Sequence, residues 1–203
     1  MTVRHGIASV RRVPSEPLTV ADLACRRGDR LLFDGLSFRV EPGAALHLEG
    51  PNGSGKSSLL RILAGLLAPA GGSIAGGGAR GFLGHDWALK PRMTLGAELA
   101  HWARLDDGLA RLQSAMAAMN VAALADVPCK HLSSGQRRRA GLARVLASGA
   151  ELWLLDEPTA GLDTASTQLL AAAMATHRAT GGMIVAAVHG DIGLDAPQRL
   201  QLA

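Results

Sequence analysis

A chain of 203 residues with 48% hydrophobic residues has room for one α/β domain with a sizeable core, or that domain with a small inserted lobe, and no second full domain is expected. No stretch reaches the roughly 18 to 20 consecutive apolar residues of a membrane span, so the chain reads as a soluble one. The formal net charge of +4 is compatible with a mildly basic surface or with proximity to an anionic membrane, but aromatics at 3% and the absence of tyrosine argue against a stacking platform for single-stranded nucleic acid.

Residues 1–17, MTVRHGIASVRRVPSEP, carry two prolines, no sustained periodicity and no acid before Glu16, and read as a loose basic tail. Such an Arg-rich start also occurs in transit peptides, although this one is short and lacks an amphipathic face. Residues 18–203 are expected to form the folded domain. LTVADLAC from Leu18 and LLFDGLSFRV ending at Val40 predict two strands separated by the charged turn RRGDR. Pro42 and Gly43 make the next turn, and AALHLEG from Ala44 predicts a buried strand. The two cysteines, Cys25 and Cys129, lie far apart and outside any C-x-x-C pattern, which fits a reduced cytosolic protein and makes neither a ligand candidate.

GPNGSGKSS at residues 50–58 matches the phosphate-binding pattern G-x-x-x-x-G-K-[ST], with Gly50, Gly55, Lys56 and Ser57 in the defining places. A phosphate chain needs donors converging from several sides, and a glycine-rich turn points backbone N–H groups inward. The preceding strand and the following apolar helix, SSLLRILAGLL, supply the context that the motif requires. Gly50, Pro51, Asn52, Gly53, Ser54, Gly55, Lys56, Ser57 and Ser58 are therefore the candidate nucleotide cradle. Lys56 is expected to reach the β- and γ-phosphates, and the Ser57 hydroxyl to bind Mg²⁺.

Residues 68–81 are rich in Gly, Ala and Pro and predict a loop with at most a short strand at 73–75. A strand end is expected at Phe82 and Leu83, before GHD. Residues 94–120 turn to Ala, Leu, Met and Arg at helical spacing and predict two helices joined near 106–108, with the Met and Leu stripe as core. Ser133 is a plausible N-cap for a further helix. In ELWLLDEPTAGLD, residues 151–163, the continuous apolar run at 152–155 predicts a strand covered on both faces, ending in Asp156 and Glu157. Ligands gather at the carboxyl ends of strands in open α/β sheets, so Asp156 is expected to serve the Mg²⁺ ion through water, and Glu157 to hold and polarise an attacking water. A helix over 164–180, a strand over 183–188 and a last strand near 199–202 complete an alternating α/β pattern.

HLSSGQRRRAGLARVL follows the helices, and Leu132 to Gln136 resembles the LSGGQ signature of ATP-binding cassette ATPases. Phosphate loop, signature, LLDEP, AGLD and a histidine after a strand, His189, stand in that family's order across nearly the whole chain from Leu18. The resemblance implies a P-loop NTPase of the cassette type with an antiparallel β edge and an inserted helical lobe at about 94–148. It implies a homodimer enclosing two ATP molecules, each held between one copy's phosphate loop and the other's signature, with Ser133, Ser134, Gly135 and Gln136 acting in trans. It also implies that His189 contacts the γ-phosphate, that Asp163 couples the two sites, and that the helices of 94–120 grip membrane subunits. The pattern is met imperfectly at three places. His85 stands where the family usually has a glutamine, no aromatic lies near Arg26 and Arg27 where many members stack one on adenine, and Ser134 replaces a glycine. CRRGDRLLFDGLSF and FLGHD further resemble the branch that serves bacterial cytochrome c maturation. That likeness implies a peripheral protein at the cytoplasmic face of the inner membrane, with hydrophobic permease partners and ATP hydrolysis tied to haem delivery. Alternatives from the sequence are transport of another cargo, a soluble cassette ATPase, or a small-molecule kinase; nucleic acid is not an expected partner.

Overall fold

The computed structural model describes residues 16–85, 89–188, 190 and 192–203. Most of the tail expected over 1–17, and His189, lie outside the described residues. Strands β1 (Leu18–Arg27) and β2 (Arg30–Val40) form the expected hairpin and are followed by β3 (Ala45–Glu49), the phosphate loop and helix α1 (Lys56–Leu63). Strands β4 (Gly71–Ala75) and β5 (Arg80–Leu83) precede three helices, α2 (Leu95–Leu105), α3 (Leu109–Ala118) and α4 (Ser134–Ser148). Strand β6 (Leu152–Asp156), α5 (Thr164–Ala179), β7 (Met183–Ala187) and β8 (Gln198–Gln201) complete the order.

Two sheets result. An antiparallel one runs β2-β1-β4, and a parallel one runs β5-β6-β7-β3-β8. The antiparallel part is thus a sheet of its own rather than a fringe of the parallel one, and β4 is a five-residue strand paired along β1, longer than the segment at 73–75 expected from the glycine content. Helix α1 is shorter than the sequence pattern suggests. It ends at Leu63, with Ala64 as the C-cap and Gly65 turning the chain with φ of 73°.

The continuous apolar strands follow from burial on both faces. On β6, Leu152 and Leu154 join one core with Leu59, Leu60 and Leu63 of α1 and with Leu18, Val20 and Val40 of the hairpin. Its alternate residues, Trp153 and Leu155, join a second core with Leu142 and Val145 of α4, Leu170 and Met174 of α5, and Leu95, Leu99 and Met116 of α2 and α3. Strand β7 repeats the division, Met183 and Val185 to the first core and Ile184 and Ala186 to the second. Because all neighbours in this sheet are parallel, the ends of β3, β5, β6 and β7 open on one edge, and that edge carries the site.

The helices between β5 and β6 are pinned by a polar cluster. The Trp102 indole donates to Glu98 at 3.1 Å, and the Arg144 guanidinium lies 3.8 Å over the Trp102 ring. Burial pulls the Arg144 pKa below its ordinary value, with Asp106 and Glu98 opposing that shift.

Leu154 is fully buried between β5 and β7. Leu154→Ala is expected to cost about 2–5 kcal/mol in urea unfolding, mostly as a lower midpoint with little change in slope.

Candidate nucleotide site

The phosphate loop leaves β3 and enters α1 at Gly55, which takes the N-cap with φ of 105°. Gly50 is required by its neighbours as well as by its φ of 140°, since a Cβ there would stand 2.3 Å from the Leu202 carbonyl oxygen and 2.8 Å from Ser54 Oγ. The segment after β8 thus presses against the first glycine of the loop. Lys56 is 9% exposed, and its ammonium donates to the Gly50 carbonyl at 2.6 Å and the Pro51 carbonyl at 3.0 Å, which holds the charge inside the loop's curve. Lys56, Ser57, Ser58, Gly53 and Gly55 share one cleft of about 380 Å³ with Leu32, Arg27 and Arg30. Of the hairpin arginines singled out in the sequence, Arg27 reaches this cleft and Arg26 is not among its lining; Arg30 was not anticipated. Two guanidinium groups, a lysine and a helix N-terminus make the cleft a binding place for an anion.

The parallel register brings β6 to the same place. The Ser57 hydroxyl donates to Asp156 Oδ1 at 3.1 Å across 99 residues of chain. Asp156 is 2% exposed, and its Oδ2 is buried without a hydrogen-bond partner among the described residues. A buried carboxylate with one unused oxygen beside a hydroxyl is a hard-oxygen donor pair, and it fits Mg²⁺. Glu157 follows with φ of 48°, its N–H donating to the Ala187 carbonyl of β7 at 2.8 Å and its carboxylate 3.6 Å from His85 Nδ1. His85 therefore stands beside the acid that the sequence assigns to water.

The signature forms a second surface. Ser133 caps α4, its hydroxyl accepting from the Gln136 N–H at 3.2 Å while Gln136 Oε1 accepts from the Ser133 N–H at 2.9 Å. The first-turn N–H groups of Ser134 and Gly135 have no partner within the helix. A Cβ on Gly135 would lie 2.9 Å from the Gly161 carbonyl oxygen, so a glycine here lets the signature pack on the AGLD turn. Ser133, Ser134, Gly135 and Gln136 line a cleft with Asp163 and Ser166 that shares no lining residue with the phosphate-loop cleft. Asp163 caps α5: Oδ1 accepts from the Ser166 N–H at 2.7 Å. Hydrogen bonds from Ser166 hold its carboxyl below the usual carboxylate range.

The cysteines are free and buried, and burial raises both thiol pKa values, which disfavours the thiolate form. His47, set aside in the sequence, lies 3.1 Å from the Val188 carbonyl, and His177 stacks on Trp153 at 3.9 Å. Sequence reasoning missed Arg138. It is 8% exposed on α4 at the same stripe as Leu142 and Val145, so a charge at a core position was the available signal.

The sequence profile of the ABC transporter family matches residues 33–160. The cytochrome c biogenesis ATP-binding export protein CcmA of Gluconobacter oxydans is 49% identical over 183 residues, 90% of this chain and 86% of that protein. The chain belongs to the ABC transporter family. The CcmA protein of Paramagnetospirillum magneticum is 48% identical over 198 residues, 89% of this chain and 91% of that protein. An ABC transporter ATP-binding protein from Pyrococcus furiosus shares the fold with a TM-score of 0.80, covering 92% of this chain and 98% of that one at 23% identity. This family member is an ATPase and binds ATP. The phosphate loop and the signature segment line the two clefts just described, and Ser57 of the loop meets Asp156 at the end of β6.

Asp163 is deprotonated more readily in the fold than in the unfolded chain, so its contribution is complete above the ordinary carboxylate pKa and is lost as pH falls through the lowered value. Asp163→Ala is expected to melt below wild type near neutral pH, with the gap closing as pH drops under about 4 in thermal scans.

Proposed function

We propose that this ATPase is the nucleotide-hydrolysing subunit of a membrane complex for cytochrome c biogenesis, working as a homodimer with integral membrane permease subunits in haem export or the release of a haem and chaperone complex. The observation that carries the reading is 49% identity over 90% of the chain to a cytochrome c biogenesis ATP-binding export protein. No helix among the described residues is long and apolar enough to cross a membrane, so on this reading membrane attachment comes through the permease, at the cytoplasmic face of the inner membrane.

The chemistry follows from the strand-end geometry. Lys56 and the loop N–H groups, residues 50–58, hold the β- and γ-phosphates, with Arg27 and Arg30 adding positive charge at the mouth. Ser57 and Asp156 are the residues that hold Mg²⁺, which when bound offsets phosphate charge. Glu157 orients a water toward the γ-phosphorus; the new P–O bond forms as the bond to the bridging oxygen of ADP breaks, and the water's proton passes to the carboxylate or the departing phosphate. His189 is assigned to the γ-phosphate.

The separation of the two clefts supports the dimer. Within one chain the signature and the phosphate loop line different clefts, so on this reading the N–H groups of Ser134 and Gly135, without partners inside the helix, meet a γ-phosphate held by a second copy. Asp163 lines the signature cleft, and on this reading it couples the two sites.

In cells whose only copy carries Lys56→Ala, haem covalently attached to membrane proteins is expected to disappear from a peroxidase-stained denaturing gel, with the variant present at normal level. An unchanged haem stain would reject cytochrome c biogenesis and leave an ATPase serving another cargo.

A further inference from the structure

We infer that Arg138 is a positioning residue that sets the place of Glu157 and His85 and ties both to the signature helix. One guanidinium, deep in the fold at 8% exposure, bonds three backbone carbonyls on two other chain segments. Nη1 donates to the Gly84 carbonyl at 2.8 Å, and Nη2 donates to the carbonyls of Asp156 at 3.2 Å and Glu157 at 2.5 Å. Gly84 directly follows β5 and precedes His85, and Asp156 ends β6, so the side chain crosses the ends of two neighbouring strands.

The contact falls where the backbone needs it. Glu157 has a φ of 48°, a region that residues with a Cβ rarely occupy, and a strained peptide persists only when its surroundings fix it. Its N–H is fixed by Ala187 of β7 and its carbonyl by Arg138. The same guanidinium takes the carbonyl immediately before His85, whose imidazole lies 3.6 Å from the Glu157 carboxylate. A planar fork with diverging donors serves three carbonyls at once, which a lysine ammonium cannot copy.

Arg138 lies five residues beyond Ser133, in the helix whose first turn carries the signature. Displacement of that helix when its N-terminus meets a nucleotide would reach Glu157 through the rigid guanidinium. Engagement of the signature would then be felt at the water-orienting acid of the same chain. The inference rests on the assignment of Glu157 to the attacking water, and its test separates the two.

The full-length protein is compared as wild type, Arg138→Gln, Arg138→Lys, Glu157→Gln and the double variant Arg138→Gln/Glu157→Gln. Turnover is followed by release of γ-³²P phosphate, and ATP affinity by displacement of a fluorescent ATP analogue. Arg138→Gln is expected to lower kcat about tenfold or more with ATP affinity within about twofold of wild type, and Arg138→Lys to recover part of the loss. In the Glu157→Gln background the second change is expected to cost no more than about twofold, because Arg138 acts through the acid already removed. Wild-type kcat in Arg138→Gln, a parallel fall in ATP affinity, or a full additional loss in the double variant would overturn the inference. If Arg138→Gln fails to fold by circular dichroism, the same cycle is run with Arg138→Lys. Wild-type turnover by Glu157→Gln would instead sink the assignment of Glu157, a separate outcome.

Discussion

The contact between the Ser57 hydroxyl and the Asp156 carboxylate, 3.1 Å long, organises the functional edge of the molecule. It forms because β3 and β6 run in the same direction on either side of β7, so the phosphate loop after one and the acids after the other leave the sheet together. The apolar alternation on both faces fixes this register, since a slip by one residue would send Leu152 and Leu154 to the opposite core and carry Asp156 away from Ser57. Packing that looks purely structural therefore determines where the carboxylate proposed for Mg²⁺ stands.

Burial gives that oxygen its chemistry. Asp156 Oδ2 has no partner among the described residues, and an uncompensated buried carboxylate oxygen is costly until a cation meets it. The anion side is built from dispersed charges: Lys56 within the loop, with Arg27 and Arg30 on the hairpin from the other sheet. The antiparallel sheet contributes arginines where a stacking aromatic is common in the resembling family, and the hairpin turn RRGDR places them. The capped start of α4 sits in a cleft of its own, and on the proposed reading the single chain is a half-site on each side.

Motifs whose meaning is local were readable from the sequence. The loop at 50–58 needs only its own glycines and its flanking elements, and the run at 152–155 announces a strand covered on both faces. The helix start at Ser133 follows from its cap, whereas the cap that Asp163 gives α5 is seen only in the fold. What the sequence hides depends on contacts between distant segments. Arg138 looks like one member of a solvated RRR run, yet the helical stripe turns it inward to three backbone carbonyls. Arg30 enters the nucleotide cleft only because the hairpin folds over the loop, and β4 extends back to residue 71, beyond the expected 73–75, through its pairing with β1 despite its glycines. His85 illustrates the same limit: alignment gives its place in the chain, and only the fold sets it beside Glu157.

The central claim is that each catalytic site is completed by the signature of a second copy. Sedimentation of the Glu157→Gln protein with and without ATP and Mg²⁺ tests it most directly, with Ser133→Arg added in the same background as the comparison. The account predicts a nucleotide-dependent dimer for Glu157→Gln, and a chain that still binds ATP yet stays monomeric once Ser133→Arg is present. A Glu157→Gln protein that remains monomeric with ATP bound, or a Ser133→Arg chain that dimerises equally well, would contradict it.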